Sequence, residues 1–131
     1  MVYRFVPRAL GVLLACFAVF VAGCSSAGGD RDAPAWARGM ATVQAERLPG
    51  EARQTLRLID DGGPFPYPKD GTVFGNFERE LPRQKRGYYH EYTVRTPGER
   101  GRGARRIVTG SGDEVYYTDD HYASFKAVLR R

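Results

Sequence analysis

The chain has 131 residues, with 20 lysines and arginines against 15 aspartates and glutamates, and two cysteines. That length bounds it to a single domain, and two cysteines exclude the multiply disulfide-stapled class of small exported folds. The mild positive balance allows a polyanionic partner and argues against an acidic, disordered chain.

Arg4 and Arg8 precede an apolar run from Ala9 to Ala22. The run is about 14 residues, short of the roughly 20 that a membrane-spanning helix needs, so residues 1–24 read as an export signal peptide. VAGC at 21–24 resembles a bacterial lipobox, which makes Cys24 the acylated residue of a lipoprotein and its lipid a membrane attachment. The alternative is cleavage by a general signal peptidase nearby, for example after Ala27. Either route exports the protein, so an extracytoplasmic location is expected, secreted or lipid-anchored to the outer side of the cell membrane. Without Arg4 and Arg8, 18 basic and 15 acidic side chains remain. The other cysteine, Cys16, lies inside the signal, so the mature domain has no disulfide and depends on its core.

Residues 25–39, SSAGGDRDAPAWARG, lack an apolar period and read as a flexible spacer, with Trp36 its one large apolar residue. The folded domain is expected over 40–131, opening with a short strand through Val43. Over 48–63, Leu48, Ala52, Thr55, Leu56 and Ile59 recur at helical spacing, Glu51 comes early, and Gly62 and Gly63 stop the pattern. This predicts one amphipathic helix. PFPYPKDG at 64–71 is a rigid loop.

YYHEYTV at 88–94, ARRIVTG at 104–110, EVYYT at 114–118 and YASFKAVL at 122–129 are β-rich runs separated by glycine- and aspartate-rich turns. The expected fold is therefore α+β, with one N-terminal helix packed on an antiparallel β-sheet meander and the other sheet face open for binding.

Alternation on strand 88–94 puts Tyr89, Glu91 and Thr93 on one face and Tyr88, His90, Tyr92 and Val94 on the other. The second set is more apolar and should meet the helix, which makes His90 a half-buried structural residue and leaves Glu91 on the opposite face. Glu91 and His90 therefore cannot share a site. GERGRGARR at 98–106 places Arg102 on a glycine-hinged loop and Arg105 and Arg106 at a strand start, where guanidinium groups reach an anion bidentately. His121 sits at the turn before the last strand.

One carboxylate, one histidine and two arginines around an anion suit metal-free RNA cleavage. Glu91 would take the proton of the ribose 2′-OH and His121 would protonate the departing 5′-oxygen. Arg102 and Arg106 would stabilise charge on the phosphorus, and Tyr122 would donate to a phosphate oxygen. Two histidines and no mature cysteine give no metal-ligand spacing, so no metal or other cofactor is expected.

PFPY, DGTVFGNFE, LP, GYYHEYTV, GRGARRI and YYTDDHYASF resemble, in that order, the small secreted microbial ribonucleases of the barnase and RNase Sa type, and RNase Sa the more closely. The resemblance covers about residues 49–126. It implies a guanyl-preferring endoribonuclease, a nuclease hydrolase that makes a 2′,3′-cyclic phosphate from single-stranded RNA and then a 3′-phosphate. The family's base, acid, arginines and tyrosine fall on Glu91, His121, Arg102, Arg106 and Tyr122.

Guanine recognition falls on 73–78: Glu78 for the N1-H and N2-H donors, backbone amides around Asn76 and Phe77 for O6, and Phe74 for stacking. Phe77 stands where the family usually has arginine, which weakens the fit to an acidic, barstar-like inhibitor. Gln44 stands where RNase Sa-like members have a disulfide cysteine. A monomer is expected. The rival readings are a non-catalytic RNA-binding domain, with tyrosines as stacking platforms, and a lipoprotein docking an acidic partner.

Overall fold

The computed structural model describes residues 33–130. The export signal, Cys24 and the first part of the spacer lie outside the described residues. From 33 onward the spacer expectation fails, because Ala35–Ala37 form a 3-10 turn with Ala37 buried. The ring of Trp36 meets Tyr116 edge-on at 5.4 Å. Small alanines let this turn lie close to the sheet, and the tryptophan that the sequence left unexplained packs against its core.

Six strands follow: β1 Thr42–Gln44, β2 Thr72–Val73, β3 Tyr89–Thr93, β4 Arg106–Gly110, β5 Val115–Thr118 and β6 Lys126–Leu129. Helix α1 spans Gly50–Asp61. The sheet order is β1-β6-β5-β4-β3-β2, antiparallel throughout except for the parallel pair of β1 with β6. The chain is thus α+β, with the expected meander at its centre. Two edge features were not expected: the parallel partnership of β1 and the two-residue β2. Neither has a local signature, since both are decided by which edge remains unpaired once β3 to β6 have assembled.

Helix α1 ends where the sequence places its stop. Gly62 adopts φ 81° and the Gly63 amide donates to Leu58 O at 2.9 Å, closing the last turn. Its inner face presents Ala52, Thr55 and Leu56. The apolar pair packs with Leu48, Val94, Ile107, Val115, Tyr117 and Val128. Each fully buried aliphatic of this set contributes about 1.5–3 kcal/mol of transfer free energy. The Thr55 hydroxyl donates to Thr93 O at 3.0 Å, which ties the helix to β3.

The sheet face away from the helix is not open, which corrects the sequence expectation. Tyr89, Val108, Tyr116 and Ala127 on that face are buried in a second core with Leu81, Phe125 and the Ala33–Ala37 segment. Alternation placed Glu91 on the correct face. The sequence did not show that the 33–40 and 81–82 segments fold over most of it and leave only one end exposed. His90 is half-buried on the helix side, paired between Val73 and Thr109.

Candidate active site

The uncovered end of the second core holds the candidate site. Glu91 lies mid-β3, paired with Thr72 on one side and Val108 on the other. Its backbone is fixed further by the Gly71 amide, which donates to Glu91 O at 2.7 Å. Asp70 supports the same edge: one carboxylate oxygen accepts the Thr93 amide at 2.7 Å and the other the Tyr67 amide at 3.2 Å. The Asp-Gly pair, legible in sequence only as a turn, therefore staples the proline loop to β3.

Among the described residues, every hydrogen bond and ion pair of the Glu91 carboxylate falls on Oε1. The Tyr122 hydroxyl donates to it at 2.5 Å, Arg102 Nη2 at 3.4 Å, and Arg106 Nε lies 3.8 Å away. Oε2 retains its lone pairs. Arg106 enters from the start of β4 and is 2% exposed. Its Nη1 donates to Gly103 O at 2.9 Å and Arg105 O at 2.8 Å, while its Nε donates to the Tyr122 hydroxyl at 3.1 Å. Arg102 is held by Nε to Thr93 Oγ1 at 3.1 Å. Arg105 is not part of the cluster, because it pairs with Glu51 of α1 at 3.4 Å.

Tyr122 is the hub between these cations and the carboxylate. Burial, with the Glu91 carboxylate next, pushes its hydroxyl up to about 12. It therefore remains a proton donor throughout the working range of a protein at neutral pH. Its ring stacks on Phe74 at 5.0 Å with 28° between planes. Phe74 in turn meets Tyr89 and Phe125 edge-on.

His121 lies in a turn, as expected, but Tyr122 does not belong to the last strand, contrary to the run of β-favouring residues over 122–129. Both take left-handed backbone, φ 57° and 75°, and β6 starts only at Lys126. Asp120 causes this. Its carboxylate accepts the Thr118 hydroxyl at 2.7 Å, the Ser124 amide at 2.9 Å and the Ser124 hydroxyl at 2.5 Å, closing residues 118–124 into a loop. The His121 amide donates to Ala104 O at 3.0 Å, which docks that loop beside the arginine segment. The imidazole is thereby presented outward, exposed, in the cavity that Glu91 also lines.

The hydrogen bonds from Ser124 and Thr118 hold the Asp120 carboxyl at about 2, below the ordinary carboxylate value. A depressed folded value contributes stability above the unfolded value, and the contribution is lost as pH falls towards 2. Exposure to solvent limits it to at most about 1 kcal/mol. Asp120→Asn is expected to be less stable than the wild type in urea at pH 6 and indistinguishable from it near pH 2. A constant gap across that range would remove the loop-closing role.

The cavity has a volume of about 340 Å³ and is lined by residues 73–75, Phe77, Glu78, Glu91, His121 and Tyr122. Asn76, at φ 55°, does not point its amide into it. The side chain is spent on the loop itself, accepting the Leu81 amide at 3.1 Å and donating to Leu81 O at 3.0 Å. That clamp exposes main chain instead: among the described residues, the amides of Gly75, Asn76 and Phe77 have no protein acceptor. Glu78 is exposed beside them, and Phe77 is 84% exposed, the largest exposure of any big apolar residue among those described.

Of the ten site residues read from sequence, Phe74, Phe77, Glu78, Glu91, His121 and Tyr122 line the cavity, Arg102 and Arg106 reach it through Glu91, the Asn76 side chain is spent on its own loop, and Cys24 lies outside the described residues. The supports that sequence reading missed are Asp70, Thr93, Asp120 and Leu81, of which only the two aspartates carried a local turn signal.

The ribonuclease family profile matches residues 31–129. Guanyl-specific ribonuclease St of Saccharopolyspora erythraea is 55% identical over 91 residues, covering 70% of this chain and 90% of that protein. Guanyl-specific ribonuclease Sa of Kitasatospora aureofaciens is 59% identical over 88 residues, covering 66% of this chain and 92% of that one. Ribonuclease Sa2, solved with guanosine-2′-cyclophosphate, superposes with a TM-score of 0.68 at 49% identity, over 71% of this chain and 99% of the other. A fold, a carboxylate-guanidinium-tyrosine cluster and a cavity-facing histidine thus coincide with extensive sequence identity, and the chain belongs to the ribonuclease family.

Proposed function

We propose that the protein is a guanine-preferring endoribonuclease in which Glu91 and His121 exchange protons with RNA across a phosphodiester held by Arg102 and Arg106. The observation that carries this reading is the one-sided ligation of Glu91. Oε1 is anchored by Tyr122 and faced by both guanidiniums, while Oε2 is unpartnered in a carboxylate that lines the cavity.

In the first step Glu91 removes the 2′-OH proton and the 2′-oxygen attacks phosphorus. The bond from phosphorus to O5′ breaks, and His121, as imidazolium, gives its proton to that oxygen. A 2′,3′-cyclic phosphate and a free 5′-hydroxyl result. In the second step neutral His121 takes a proton from water, hydroxide adds to phosphorus, and the 2′-oxygen leaves with the proton from Glu91. The product is a 3′-phosphate. Arg102 and Arg106 stabilise charge on the equatorial oxygens in both steps, and Tyr122 donates to a phosphate oxygen or holds Oε1 in place.

Glu78 accepts guanine N1-H and N2-H, the free amides of Asn76 and Phe77 donate to O6, and Phe74 offers a stacking face at the cavity wall. Asn76 acts through its main chain. With Phe77 at the rim, an acidic inhibitor loses one cation to pair with. The basic start, apolar run and VAGC of residues 1–24 support an extracytoplasmic site of action, with Cys24 as a lipid attachment point; export places the enzyme where single-stranded RNA outside the cytoplasm is its substrate.

The deciding assay incubates the purified protein, without added metal, with GpU, ApU and a 2′-deoxy GpU. Cleavage of GpU to cyclic product is expected, with kcat/KM over ApU of order 10³ or more, because adenine offers no N1-H or N2-H to Glu78 and no O6 to the main-chain amides. The deoxy compound, lacking the nucleophile, should be inert. A non-catalytic RNA binder would retain GpU intact and bind the deoxy compound as well as the ribo form, and that result would overturn the reading.

A further inference from the structure

We infer that the 79–86 loop is a second RNA-binding surface, taking the phosphates of nucleotides that flank the recognised guanosine; the inference rests on the ribonuclease reading above. Arg79, Arg83, Lys85 and Arg86 are all exposed, and Glu80 is the only acid in that segment. Among the described residues, none of the four cations forms an ion pair. The arginines around the catalytic cluster are in a different condition, since Arg102 and Arg106 face Glu91 and Arg105 is paired with Glu51.

A charge run on a loose loop would be a solvated surface and nothing more. This backbone is pinned at several points. Leu81 is buried in the second core and bound both ways by Asn76. The Tyr89 hydroxyl donates to Pro82 O at 2.6 Å, and the Tyr88 amide donates to Lys85 O at 3.1 Å. Arg79 is held in left-handed backbone, φ 60°, with its amide on Asn76 O at 3.0 Å. An arginine in that region costs energy that a glycine would not, and the strain turns the chain immediately after Glu78, at the cavity rim.

The loop therefore carries a net excess of cations, in fixed position, directly continuous with the wall of the candidate base site. Phe77, on that wall and two residues before Arg79, exposes its ring. Cations beside an aromatic face, along one track, are the pairing that single-stranded nucleic acid uses for backbone and base. Phosphates of a dinucleotide cannot occupy this surface in addition to the catalytic one, so the loop acts only on longer chains.

The test compares wild type with the triple variant Arg83→Gln, Lys85→Gln, Arg86→Gln, and with a charge-matched control, Arg47→Gln, Arg53→Gln, Arg57→Gln, on and beside the helix. Three measurements are made: cleavage of GpU, cleavage of a uridine decamer containing one guanosine, and binding of the 2′-deoxy decamer by fluorescence anisotropy. The loop variant should cleave GpU within twofold of wild type but lose about tenfold in kcat/KM on the decamer at low salt. Its binding of the deoxy decamer should weaken by a similar factor, with the log-log salt slope shallower by about 2, at roughly 0.7 for each phosphate no longer neutralised. The control should match wild type. Unchanged decamer binding and cleavage in the loop variant would overturn the inference, as would an equal loss in the control, which would indicate net charge alone. Failure of wild type to cleave GpU would instead overturn the catalytic reading, and the anisotropy comparison would still decide the role of the loop.

Discussion

Glu91→Gln is expected to lower kcat/KM on GpU by about 10³, within the range that a positioned general base supplies. Glutamine is isosteric, and its amide oxygen can still accept the Tyr122 hydroxyl that now sits 2.5 Å from Oε1. The fold should therefore persist, with the urea midpoint lowered because Arg102 and the buried Arg106 lose the charge they face. The variant lacks the basic oxygen and its charge. His121→Ala should cause a loss of similar size, and because the two groups act in one proton exchange, the double variant should lose little more than either single one. Hydrolysis of guanosine 2′,3′-cyclic phosphate should fall alongside, since the same pair serves the second step with roles exchanged. A Glu91→Gln protein within tenfold of wild type would remove the proposed base.

Arg106 should give the largest combined effect on activity and stability. The residue is 2% exposed, and its guanidinium donates to two loop carbonyls and to Tyr122. Arg106→Met would leave Gly103 O and Arg105 O without those donors and strip one of two cations from a carboxylate whose side chain is 15% exposed. The expected loss is about 3 kcal/mol of unfolding free energy together with at least about 10² in kcat. Arg106→Lys should recover part of the stability and little of the activity, because an ammonium group cannot fill a planar fork. Arg102 provides the contrast. Its side chain is 28% exposed, so Arg102→Ala should cost under about 1 kcal/mol of stability while still lowering kcat. Equal stability losses at the two positions would show that the buried network around Arg106 has been misread.

Alternation along GYYHEYTV was enough to separate Glu91 from His90, because successive strand residues face opposite ways whatever surrounds them. Apolar spacing and the double glycine located α1 in the same local way, to within two residues at each end. Residues 122–125 misled the strand reading because Asp120 binds Thr118 and Ser124 more favourably than that segment could extend β6. The sequence already assigned the O6 donors to backbone amides around Asn76 and Phe77; what it did not show is that the Asn76 side chain is held in both directions by Leu81.

The residue types available for chemistry, the helix, the central strands and the face on which Glu91 lies were determined by the sequence alone, since each depends on contacts within a few residues. Tertiary structure alone decided that the opposite sheet face is covered by a second core, that β1 runs parallel to β6, and that a tyrosine hydroxyl and two guanidinium groups converge on one oxygen of Glu91. Those outcomes depend on segments far apart in the chain competing for the same surface, and a local pattern of residues holds no record of which competitor wins.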